Sequence, residues 1–178
     1  MKSTRFMIIF TICFLFSGCS FTTITYDYDR DFDFSNLKQY NWMEISADFP
    51  ANDIVVQRII KAVDQQMELK GFSESVESPD FLISLQGFRD IIREGIERGT
   101  AYRGYRGYDR TYERRLDVYE YEEGTLTVTI INAAGNNLIW QGSATATLEP
   151  NLSPETRDER TQKAVTKLLA DFPPIPKN

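Results

Sequence analysis

Histidine is absent from the 178 residues, and cysteine occurs only at Cys13 and Cys19. Without histidine, neither a Ser-His-Asp nor a Cys-His relay can be assembled. Two cysteines and no histidine also fall short of the four ligands of an ordinary zinc site. The ten glycines form neither a P-loop nor a dinucleotide-binding fingerprint. Long apolar runs are missing too. The best of them, Phe6 to Phe16, is shorter than the roughly 20 residues a helix needs to cross a bilayer. An enzyme would be left with carboxylate, tyrosine, lysine or arginine chemistry, and no arrangement of these stands out. The expectation is a non-enzyme with no cofactor and no metal.

The first twenty residues, MKSTRFMIIFTICFLFSGCS, are more informative. Lys2 and Arg5 make a positive start, the apolar run has signal-peptide length, and small residues lead into Cys19. The pattern resembles the bacterial lipobox, with Phe16 where leucine is usual, and it implies acylation of Cys19 as the first mature residue. Residues 1–18 then read as a signal peptide, 19–22 as the lipidated cysteine and a short tether, and 23–176 as one domain. Removing Lys2 and Arg5 takes the net charge from −6 to −8. With Cys13 removed and Cys19 acylated, no thiol remains for a disulfide, so packing alone must hold the fold. If the host is Gram-negative, Ser20 after the cysteine resembles the sorting pattern for the outer membrane, facing the periplasm.

Periodicity organises the rest. Thr23 to Tyr28 alternates as a strand does, and Leu37 to Met43 is a second candidate with Tyr40 and Trp42 on one face. Asn52 or Asp53 as a cap and Gly71 as a stop bracket a helix over 53–70. Its apolar stripe is Val55, Ile59, Val63 and Met67 with Ile60 beside it, and Arg58, Lys61, Asp64, Gln65 and Glu68 are expected to face water. Phe81, Ile83 and Leu85 mark another strand. Leu126 to Ile131 and Leu138 to Thr147 make a hairpin about Ala134-Gly135-Asn136-Asn137, with Trp140 expected to anchor the second strand. Ser153-Pro154 opens a last helix that buries Ala164, Val165, Leu168, Leu169 and Phe172. These elements predict a single α+β domain: a mostly antiparallel sheet with two helices packed on one face.

"YDYDRDFDFSNLKQYNWM", "SPDFLISLQG", "YEEGTLTVTIINAAGNNLIWQGSATATL" and the closing "AVTKLLADFPP" together resemble one bacterial lipoprotein family, catalogued as domain of unknown function 4136. The resemblance spans about Thr22 to Pro174. It implies an envelope lipoprotein of α+β fold and carries over no activity and no functional residue.

A long insert, about 89–120, interrupts the pattern. Arg89 to Arg115 holds eight of the thirteen arginines against five acids. Tyr102, Arg103, Tyr105, Arg106, Tyr108 and Arg110 are the candidate ligand-binding residues, arginine pairing with phosphate or carboxylate and tyrosine stacking on rings. The bland alternative is the tip of a long hairpin. Behind a signal peptide the available partners are the membrane, another envelope protein or an anionic glycan, and not nucleic acid. The series Asp27, Asp29, Asp31, Asp33 fails an EF-hand pattern, since Phe32 and Lys38 stand where glycine and glutamate are required. Glu120, Glu122 and Glu123 raise a glycosidase reading, but nothing in the sequence surrounds them with a pocket. Protein extracted from its host's membranes is expected to have the intact mass of a chain starting at acylated Cys19. A mass retaining residues 1–18 would overturn that expectation.

Overall fold

A computed structural model describes residues 22–45, 49, 51–101 and 112–174, with the backbone alone at 96–101 and 112–116. Six strands and two helices follow one another as β1 (Thr22–Tyr28), β2 (Gln39–Trp42), α1 (Asp53–Leu69), β3 (Ser73–Glu74), β4 (Phe81–Ala101), β5 (Tyr112–Asn132), β6 (Asn137–Thr147) and α2 (Pro154–Leu168). They form one mixed sheet in the order β1-β6-β5-β4-β2-β3. Only β2 runs parallel to its neighbours, β3 and β4. A parallel pair needs a crossover, and α1 lies in the connection between β2 and β4. The expected α+β class holds.

The helices stand where capping chemistry puts them. Asn52 accepts from the Val55 N–H at 3.1 Å, and Gly71 takes φ +87° just past the C-terminus of α1. Ser153 accepts from Thr156 N–H ahead of Pro154. Ile59, Ala62, Val63 and Met67 of α1 and Val165, Leu168, Leu169 and Phe172 at the end of α2 bury against one sheet face. That face carries Phe81, Ile83 and Leu85 of β4, Val128 and Ile130 of β5, and Trp140 and Ala144 of β6. Phe172 closes the core. Its ring lies 5.4 to 6.3 Å from those of Phe34, Phe72, Phe81 and Trp140.

Strand β6 departs from simple alternation. Ile139 and Trp140 are both fully buried, while Leu138 is exposed. The ladder to β5 slips between Ile130 and Ile131, so Ile139 is an extra residue on its strand. Such a bulge turns two consecutive side chains to the same side, which gives the core two anchors where sequence parity suggests one. Among the described residues no helix covers the opposite sheet face, which carries small polar groups bonded in pairs: Thr125 with Thr145 at 2.9 Å, Thr127 with Ser143 at 2.8 Å, and Gln141 donating to Thr129 at 3.1 Å.

Gly142 lies beneath the indole of Trp140. A Cβ there would stand 2.4 Å from the ring and 2.8 Å from Leu168 Cδ1. Gly142→Ala is therefore expected to lower stability by about 1–3 kcal/mol through overpacking. The urea midpoint checks this, and an unchanged midpoint would show that the indole can shift at no cost.

Candidate functional site

The ladder between β4 and β5 runs from Phe81↔Asn132 to Ala101↔Tyr112. The neighbouring strands stop much earlier. β2 reaches only Ile83, and β6 ends with Thr147 opposite Glu123. From about Asp90 and Glu123 onward the two long strands form a two-stranded ribbon that leaves the body of the sheet. The insert read from sequence at 89–120 is thus paired strand over 89–101 and 112–120. Its period is hard to see in the sequence because none of its described side chains, at 89–95 and 117–120, belongs to the core that would impose one.

The ribbon's side chains near its root are exposed and mostly charged. Arg93 Nε donates to Glu120 Oε2 at 2.9 Å, and Tyr121 Oη donates to Glu94 Oε1 at 3.1 Å. Partial burial, then Glu94 and Glu123, push the Tyr121 phenol above the ordinary tyrosine value. Between the charges sit apolar groups with large exposure: Phe88, Ile91, Val118 and Tyr119. Glu120 is engaged by Arg93. The candidate residues Tyr102, Arg103, Tyr105, Arg106, Tyr108 and Arg110 lie outside the described residues, as does Cys19. In the chain those six fall between Ala101 and Tyr112, the far ends of the ribbon's strands.

The aspartates near β1 shape turns. Asp27 accepts from Tyr28 N–H, Asp29 from Asp31 N–H, and Asp33 from Ser35 N–H and Asn36 Nδ2. The bonds from Ser35 hold the Asp33 carboxyl below its usual range. Among the described residues, no three potential ligands gather closely enough to hold a metal.

Two polar residues of α1 differ from the sequence expectation. Asp64 does not simply face water: its Oδ1 accepts from Tyr40 Oη at 2.9 Å and from Trp42 Nε1 at 3.0 Å. Arg58 is paired with Asp158 of α2 and keeps only 16% of its side chain exposed. The groove between the helices there, lined by Ile54, Gln57, Lys61 and Gln162, is shallow, and its arginine is already neutralised. Asp64 had a signal in the sequence. A weak helix former sits beside Val63 on the buried stripe, and two aromatic donors share a face of β2.

A family model described as Domain of unknown function (DUF4136) matches residues 24–174. No curated protein matches significantly. A PDZ domain protein from Parabacteroides distasonis is similar in structure, at 17% identity and a TM-score of 0.57 over 88% of this chain. The chain spans about a third of that protein's length, 36%. PelC from Paraburkholderia phytofirmans, solved as a dodecamer, aligns at 11% identity and a TM-score of 0.49, covering 84% of this chain and 95% of that one. A putative neuraminyllactose-binding hemagglutinin homolog from Helicobacter pylori aligns at 13% identity and a TM-score of 0.36, covering 83% and 92%. The likeness to the Parabacteroides distasonis protein describes the fold alone.

Burial, and then the Asp64 carboxylate, raise the Tyr40 phenol above the ordinary tyrosine value. The folded phenol therefore ionises later than the unfolded one. Its stabilising contribution is complete below about pH 10 and is lost as the pH rises through the raised folded value. Urea unfolding is expected to show stability falling above about pH 10, and Tyr40→Phe to remove part of that fall. Asp64→Ala leaves two donors without their acceptor and is expected to cost about 2–4 kcal/mol. A midpoint unmoved by Asp64→Ala would mean that water replaces the carboxylate freely.

Proposed function

The chain belongs to the family described as Domain of unknown function (DUF4136), and on that footing we propose that it is a membrane-anchored envelope lipoprotein with no catalytic activity. Its α+β domain serves as a binding or structural module held at Cys19. The observation that carries this reading is the join between two parts of the chain. A signal-like segment ending in Ser-Gly-Cys leads into β1 at Thr22, with two residues between Cys19 and the strand. One acyl chain anchors weakly and several anchor stably, so multiple acylation at Cys19 would fix the domain close to the bilayer. The spread of carboxylates into ion pairs and turn contacts supports a module without chemistry of its own. In a Gram-negative host the expected place is the outer membrane, on its periplasmic side.

The ribbon favours a second reading, in which the insert binds an anionic envelope glycan or lipid. Six tyrosine and arginine residues fall in the chain between Ala101 and Tyr112, the far ends of two long paired strands. On fractionation, the wild type is expected in the membrane pellet and Cys19→Ala in the soluble fraction. Soluble wild-type protein would sink the anchored reading. The triple change Arg103→Ser, Arg106→Ser, Arg110→Ser is expected to weaken retention on lipopolysaccharide or cell-wall material without altering the urea midpoint. Unchanged retention would rule out a binding role for those arginines.

A further inference from the structure

The register of the ladders sorts the sheet's residues onto two faces, because neighbours on a strand point to opposite sides. The bonded pairs Thr125–Thr145, Thr127–Ser143 and Gln141–Thr129 mark the face away from the helices. Its central row is Thr25, Ser143, Thr127 and Gln86, one residue each from β1, β6, β5 and β4. The row on the ribbon side runs from Thr23 to Phe88, and the row on the other side from Asp27 to Ser84. Leu138, Ile131 and Leu82 close the set as an apolar row. Asp27 is the only ionisable residue in these rows, although 26% of the chain is charged. Its carboxylate already accepts from Tyr28 N–H at 2.9 Å. Charge resumes one row nearer the ribbon, at Glu123 and Asp90. The face is a neutral island on an acidic chain.

Solvated surfaces are ordinarily about a quarter to a third charged, and loss of charge is the compositional mark of the buried centre of a contact. A glycan or an anion suits this face poorly. It has no Lys, Arg, Tyr or Trp, and its central Thr and Ser hydroxyls are bonded to one another across the strands. Thr127 and Thr129 are only 7% and 8% exposed with no described helix above them, so covering them removes little water. A second copy of the chain fits better. The whole chain carries −6, so two copies repel where that charge is presented and approach most easily where it is missing. Phe88 and Leu138, 59% and 49% exposed in the two outermost rows, would gain an apolar cover. From Thr125 to Ile131 the patch is about 23 Å long, and four strands span about 19 Å, about 450 Å² in each copy. A pair would cover about 900 Å², the size of a weak, reversible contact. We propose that this face pairs two copies of the chain, sheet against sheet, about a two-fold axis. The contact uses no residue of the anchor and stands apart from the proposed acylation.

Sedimentation equilibrium of the full chain in a density-matched detergent tests this, at protein concentrations from about 1 to about 100 µM. The wild type is expected to move from the mass of one chain toward that of two across this range. Thr25→Glu together with Gln86→Glu puts a carboxylate at each end of the central row. Both positions are exposed in the single chain, so the urea midpoint is expected to hold while association weakens about tenfold or more. Leu69→Glu, at the end of α1 and 79% exposed, is expected to leave association unchanged. Should the double change disturb folding, Thr23→Glu on the edge strand β1 replaces it, with the same loss expected. A wild type with the mass of one chain at every concentration overturns the pairing, whether the face is then bare or held by another molecule. So does a pair that survives the added carboxylates, because it must form through the N-terminal segment or another surface.

Discussion

Everything in the domain converges on Phe172. Its ring touches rings from the turn after β1, the segment after α1, the start of β4, and β6. The C-terminal residues after α2 therefore close a core whose other walls come from nearly the whole chain. Aromatic contacts of this kind add about 0.5–1.5 kcal/mol each beyond the area they bury. The described residues include no cysteine, and among them such side-chain packing is what fixes the helices over the sheet. The bulge at Ile139 serves the same end, since without the extra residue Trp140 would enter the core without Ile139 beside it.

That packing is confined to one end of β4 and β5. Val128 and Ile130 lie over the core, whereas Ile91 and Val118, on the same two strands, are open to solvent. The strands are continuous, but the energy holding them is not. Near the core, side-chain burial and three or four neighbouring strands support the ladder. Along the ribbon, it depends on hydrogen bonds between two strands and on a few exposed pairs such as Arg93–Glu120, each of the kind worth about 1 kcal/mol or less. The domain thus has a rigid body and an arm, and it is the arm that carries the unusual composition.

Legibility in the sequence followed this division. Both helices, their caps and the Leu126–Thr147 hairpin could be read because a buried face imposes a period and caps impose residue types. The ribbon was read as an insert because Arg89, Asp90, Arg93 and Glu94 occupy both faces of a strand that buries neither. Ile139 is hidden from a strand pattern because a bulge breaks parity, and parity is all that such a pattern offers. Asp64 was sent to the solvent because its partners, Tyr40 and Trp42, are more than twenty residues away in sequence. Of the candidate site, the strands that lead to the tyrosine and arginine residues are visible, while Cys19 and residues 102–110 rest on sequence alone.

The long ladder also has a mechanical meaning. A hairpin pulled from its tip opens one rung at a time, because the load falls on the outermost pair and not on all pairs together. From Ala101↔Tyr112 inward, the rungs break in turn. Near Asp90↔Glu123 the pulling force meets β6, and further in it meets the buried pairs Leu85↔Val128 and Ile83↔Ile130. The arm can peel and reclose while the body stays folded, so a tug at its far end would be absorbed before it reached the core.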